Sequence, residues 1–126
     1  MNVLLDTCAL LALARGDLPT RASAALKTAE EAIVSVVSAW EVAIKAANGK
    51  LRLEDSPRQW FLGLAERYGL KELPLDSQAA CVAAALPPIH KDPFDRVLVA
   101  VAQAKEFVVL TSDINIAKYP GVKTLW

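Results

Sequence analysis

The chain has 126 residues, 54% of them hydrophobic and 22% charged, with 14 basic side chains against 14 acidic ones. That length suits one domain with a single core, so 1–126 is expected to fold as one unit, and the apolar fraction excludes a disordered chain. A formal net charge of zero leaves no overall field to attract nucleic acid or an anionic membrane, so any polyanion would need a local patch or a bound cation.

In chain order, "NVLLD" is a short apolar run of strand formers that ends on Asp6. The wider run Val3–Ala14 carries Asp6 in its middle and has no basic leader, so it is expected to be mature protein and not a signal peptide. "TCALLALARG" has helical character and stops at Gly16, and "LPTRASAALKTAEE" places Ala22, Ala25, Leu26 and Ala29 on one helical face. "AIVSVV", Ala32 to Val37, is the second expected strand, followed by the helix "SAWEVAIKAANG" with Gly49 at its end. "SPRQWFLGLAERYG" opens with Ser56 as cap, Pro57 in the first turn and Gln59 closing a capping box; its stripe of Trp60, Phe61, Leu64 and Tyr68 belongs to a core. "KELPL" is a third strand, "DSQAACVAAAL" a helix stopped by Pro87 and Pro88, Asp92–Ala104 the next helix, "FVVLT" a fourth strand and "VKTLW" a candidate fifth.

Strands that alternate with helices predict an α/β fold, with a mostly parallel sheet covered on both faces. No run reaches the ~18 uninterrupted apolar residues of a membrane helix, and the expectation is a soluble, cytoplasmic protein with no membrane contact. Cys8 and Cys81 lie inside apolar runs at no metal or redox spacing, and are expected to be reduced, buried thiols.

The acidic residues admit two explanations. Asp92 suits an N-cap, Pro93 the first helical position and Asp95 the third, where a carboxylate faces free amides; such roles stabilise by about 1 kcal/mol each. "SAWE" reads as a capping box from Ser38 to Glu41, and Glu41 precedes Lys45 by four residues, a favourable surface pair. Asp6 and Asp113 each end a strand and could cap the helix or turn next in the chain. Taken together, however, Asp6, Glu41, Asp95 and Asp113 fall at strand ends or first helical turns, and in an open parallel sheet those positions share the edge where ligands bind. Like charges ~4 Å apart at an effective dielectric of ~20 repel by about 4 kcal/mol per pair, more than capping offsets. Such groups must protonate or hold a divalent cation, and all-oxygen ligands favour Mg²⁺ or Mn²⁺. The sole histidine, His90, lies in a proline-bounded loop and is expected to be a loop residue, with substrate contact as the alternative. No serine or cysteine has a partner base, so metal-activated water is the remaining nucleophile.

"LLDT" at Leu4–Thr7, "SAWEVAIKAANGKL" at Ser38–Leu51, "HKDPFDRVLVAVA" at His90–Ala102 and "VLTSD" at Val109–Asp113 together resemble the PIN-domain nucleases, specifically the VapC-type toxins of toxin–antitoxin pairs. The resemblance implies a three-layer α/β/α fold with four to five strands, an acidic pocket for Mg²⁺ or Mn²⁺, and endoribonuclease activity. By position, Asp6 and Asp95 look like metal ligands, Glu41 like the acid that helps hold metal and water, and Asp113 like a more variable fourth acid. Thr7 and Thr111 look like pocket hydroxyls, and Asp92 is kept first as an N-cap. Arg96 is expected in a surface or ion-pair role, with substrate phosphate as the alternative; Lys45, Lys50 and Arg52 form a loose basic group whose default is solvation. The resemblance further implies a small VapB-like antitoxin partner and a homodimer. Two competing classes stand beside it: a phosphoacceptor receiver domain, disfavoured because the first strand carries one acid only, and a binding module whose acids merely cap helices.

Overall fold

The computed structural model describes residues 1–126. Five strands form one all-parallel sheet in the order β3-β2-β1-β4-β5: β1 Asn2–Leu5, β2 Glu31–Ser35, β3 Leu70–Leu73, β4 Val108–Leu110 and β5 Lys123–Leu125. Seven helices surround it: α1 Thr7–Arg15, α2 Thr20–Thr28, α3 Val36–Ala47, α4 Pro57–Tyr68, α5 Ser77–Ala85, α6 Pro93–Lys105 and α7 Ile114–Ala117. No helix is long and apolar enough to cross a membrane.

The pleat of β1 explains the layers. Val3 and Leu5 point to a core that also contains Ala9, Leu10 and Leu13 of α1, Ala25 of α2 and Phe61 and Leu64 of α4. Leu4, between them, points to the opposite core of Val37 from α3, Leu98, Val99 and Val101 from α6, Ile116 and Tyr119. Trp60 and Tyr68 pack at the rim of the first core, so the predicted stripe of α4 is core. The result is the expected three-layer α/β/α arrangement, with the sheet fully parallel and five strands wide.

Chain direction across the sheet reverses at β1. From β1 the chain steps outward through β2 and β3, then returns to the other side of β1 as β4. The crevice at the carboxyl ends of β1 and β4 is the switch point at which α/β sheets bind ligands.

Two local expectations are corrected. The β-branched run through Val37 does not stay extended: β2 ends at Ser35, whose hydroxyl accepts from the Val37 amide at 3.2 Å, and α3 begins at Val36. Ser38 is therefore not the cap, and Glu41 sits in the second turn of the helix, because strand propensity is a weak prior once the helix can bury Val37 and Val42. Cys8 and Cys81 are both exposed thiols, since each lies on the outward side of its short helix.

Because β1 is buried on both faces, Leu4→Ala should cost about 2–5 kcal/mol, read as a lowered urea midpoint with an unchanged slope.

A candidate active site of carboxylates

The crevice is built from five acidic side chains on four segments. Asp6 follows β1 and caps α1; its Oδ1 accepts from the Ala9 amide at 2.7 Å and its Oδ2 from the Thr111 hydroxyl. Thr111 in turn accepts from the Asp113 amide at 3.0 Å, so the ends of β1 and β4 are tied through one hydroxyl. Asp6 is only 2% exposed, far beyond what a surface cap requires.

Glu41 is buried on α3. Thr7 donates to its Oε1 at 2.7 Å, Ser38 Oγ lies 3.1 Å from Thr7 Oγ1, and Lys45 Nζ lies 2.9 Å from its Oε2. The i,i+4 pair with Lys45 thus exists, but as a half-buried partnership at the crevice and not a solvated surface pair. Lys50 and Arg52 are exposed, as the expected solvated face requires. The Glu41 carboxylate raises the pKa of the Lys45 ammonium.

Asp92 caps α6 as expected, with Oδ1 accepting from the Phe94 amide at 2.9 Å. Asp95 sits in the first turn of that helix. One oxygen from each of Glu41, Asp92 and Asp95 lies within 4.8 Å of the others, so Asp92 is a cap and a member of the cluster together. Trp40 packs edge-on against Phe94, ring centroids 5.2 Å apart, and ties α3 to α6 beside this cluster.

His90 lies in the loop where the sequence puts it, but its ring does more there than the sequence indicates. Its Nε2 lies 2.7 Å from Asp113 Oδ2 and 3.0 Å from Asp95 Oδ2, inside the acidic crevice. A signal was available in "HKD": two residues apart, the Asp92 amide donates to His90 Nδ1 at 3.1 Å, a local turn that aims the ring inward.

Arg96 also departs from expectation. It makes neither a carboxylate ion pair nor an open phosphate site. Its guanidinium donates to the carbonyls of Ala83 (3.1 Å), Ala84 (3.3 Å) and Leu86 (2.7 Å) at the end of α5, and to those of Pro87 (3.1 Å) and His90 (3.1 Å) in the loop. A planar fork with five N–H donors suits carbonyls left orphaned by a helix end and two prolines. Tyr119 completes the clamp, donating to the Pro87 carbonyl at 3.0 Å and accepting from the His90 amide at 2.9 Å.

Electrostatics reflect the crowding. Burial, and then the charges of Asp113 and Glu41, raise the Asp6 pKa against the hydrogen bonds from Thr111 and Ala9. Burial, followed by the charge of Asp92, pushes Asp95 up to about 7, with His90 only partly countering. Although Cys8 is exposed, partial desolvation by its neighbours, followed by the charge of Asp6, raises its thiol pKa. The donor set of the Glu41–Asp92–Asp95 cluster is all oxygen, three carboxylates against the one ammonium of Lys45, which fits a hard divalent cation.

Comparisons with known proteins agree with this architecture. The family model described as "PIN domain" matches residues 3–122. Among solved structures, the chain is similar to VapBC2 from Rickettsia felis bound to a DNA fragment from their promoter, at TM-score 0.73 and 12% identity over 99% of this chain and 98% of that one. It is similar to DNA-bound VapBC from Salmonella typhimurium, at TM-score 0.67 and 17% identity over 99% and 97% of the two chains. It is also similar to FitAcB from Neisseria gonorrhoeae, at TM-score 0.66 and 20% identity over 98% and 96%. No curated protein sequence matches significantly.

Two outcomes are expected from this geometry. In the unfolded chain an aspartate loses its proton near 3.8, whereas folded Asp95 keeps it to about 7. Between those values the folded metal-free protein binds more protons than the unfolded chain, so its stability falls as pH rises through the window. Urea midpoints should drop from about pH 4 to about pH 7, and Asp95→Asn should flatten the slope. Arg96→Ala, which leaves several carbonyls without donors, should cost on the order of 3 kcal/mol and speed amide exchange in residues 86–91.

Proposed function

The chain belongs to the PIN-domain family, and from that premise we propose that it is a metal-dependent endoribonuclease and the toxin of a toxin–antitoxin pair. The single observation that carries the chemistry is the crevice itself. Carboxylates from opposite ends of the sequence converge at the sheet's switch point, and Asp95 has only a shared contact with His90, 3.0 Å away, to hold its charge.

In this proposal Glu41, Asp92 and Asp95 hold Mg²⁺ or Mn²⁺, Asp6 completes the negative wall beneath it, and Asp113 closes the far side. When bound, the cation supplies Lewis-acid stabilisation of phosphate charge and lowers the pKa of a water. The remaining roles belong to the chain. Thr7 and Lys45 fix Glu41, so its carboxylate is the acid best placed to orient a water toward phosphorus. Thr111 locks Asp6 against rotation and sets the depth of the pocket. Arg96 shapes the loop and does not touch substrate. With a formal net charge of zero, the chain depends on the bound cation to draw in the RNA backbone.

An antitoxin partner is proposed because the similar solved structures include a toxin–antitoxin complex from Klebsiella pneumoniae, at TM-score 0.67 and 21% identity over 95% of this chain and 94% of that one. A second copy of the chain, a cytoplasmic setting and one functional unit over 1–126 complete the proposal.

Purified protein should cleave RNA with Mn²⁺ or Mg²⁺ and stop on addition of chelator. Asp95→Asn and Glu41→Gln should each lower the rate by about 100-fold or more, with circular dichroism unchanged. RNA cleavage that persists in chelator, or in Asp95→Asn, would overturn the proposal.

A further inference from the structure

The crevice contains two overlapping groups that share Asp95. One is Glu41, Asp92 and Asp95; the other is His90, Asp95 and Asp113. On residue type alone the second group would pass for a second metal site, since histidine and carboxylates are common ligands. Hydrogen bonding argues otherwise. His90 Nδ1 accepts from the Asp92 amide at 3.1 Å, so its lone pair faces that N–H and the ring hydrogen resides on Nε2. A nitrogen that carries hydrogen has no lone pair to offer a metal. That hydrogen points to Asp113 Oδ2, 2.7 Å away, with Asp95 Oδ2 at 3.0 Å from the same nitrogen.

The neighbours are equally committed. The other oxygen of Asp113 accepts from the Asn115 amide at 2.8 Å. The backbone of His90 is held on both sides, its amide by Tyr119 Oη at 2.9 Å and its carbonyl by Arg96 Nη1 at 3.1 Å. The ring has little room to swing, with its side chain 15% exposed. A magnesium ion at ~2.1 Å from an oxygen of each of Asp95 and Asp113 would run into the Nε2–H bond.

We infer that His90 takes the place of a second metal ion: its Nε2–H spans Asp95 and Asp113, and the pocket admits one divalent cation, on the Glu41–Asp92–Asp95 side. This deepens the metal-dependent assignment and rests on it. His90 is then a positioning residue, kept in its tautomer by the Asp92 amide and kept in place by Arg96 and Tyr119. Asp92 acts on both halves of the pocket, through its backbone on the ring and through its carboxylate beside the cation.

Calorimetric titration with Mn²⁺ tests it on three proteins. The unmodified chain should bind one ion. His90→Gln, whose amide nitrogen reaches the position of Nε2, should also bind one. His90→Ala, which removes the donor, should bind two. Two ions on the unmodified chain, or one on His90→Ala, would overturn the inference while leaving metal dependence intact. No ion on any of the three would overturn metal dependence and this inference with it. If His90→Ala does not fold, the unmodified protein still decides. Its one histidine gives a single imidazole in long-range ¹H–¹⁵N spectra. The Nε2–H tautomer should be present both before and after saturation with Mg²⁺. An Nδ1–H tautomer, or an Nε2 that loses its hydrogen to the ion, would overturn the inference.

Discussion

Like charge gathered at one sheet edge is the constraint around which this molecule is arranged. Each buried carboxylate needs donors, and most have them within the chain. Asp6 takes an amide and a hydroxyl, Glu41 a hydroxyl and an ammonium, Asp113 an amide and an imidazole. Asp95 is left with only the flank of His90 and a pKa near neutrality. Unequal satisfaction of this kind separates a structural acid from one reserved for a ligand, because an uncompensated buried charge is costly in any state without one.

The loop before α6 shows how that inequality is maintained. Prolines at 87, 88 and 93 remove amides and break helices, so the segment has little backbone pairing of its own. Arg96 and Tyr119 reach in from α6 and from the turn before β5, and satisfy the loop from behind. The side that faces the crevice then presents one imidazole at a fixed angle. Local order at the site is thus imposed from the far side of the loop, by residues that never enter the pocket.

Much of this was legible in the sequence. Alternating apolar runs and amphipathic stretches announce a parallel α/β sheet, and caps at Ser56, Asp92 and Asp6 arise from local chemistry. Asp6, Glu41, Asp95 and Asp113 do gather at one edge, with Thr7 and Thr111 hydrogen-bonded among them. The features that were not legible depended on three-dimensional partners. The β2–α3 boundary was hidden because valines serve strand and helix alike once buried. Arg96 was read from its charge, whereas its fork is spent on neutral carbonyls brought close only by the fold of the α5–α6 connection. His90 was read as a loop residue because only the folded loop shows where its ring points. The thiols were expected inside because their neighbours are apolar, but on a short helix one side still faces water.

The bond between Asp6 and Thr111 joins positions 105 residues apart in the sequence. Asp6 also relies on the strand between them, since its amide donates to the Leu110 carbonyl at 3.2 Å. During synthesis Asp6 emerges 105 residues ahead of its hydroxyl partner, and well ahead of the strand beside it. A nascent chain therefore carries its acids as separate, solvated groups, and the crevice closes only once β4 has been made. Incomplete copies, whether stalled on the ribosome or clipped from the C-terminal end before β4, would lack the assembled pocket altogether.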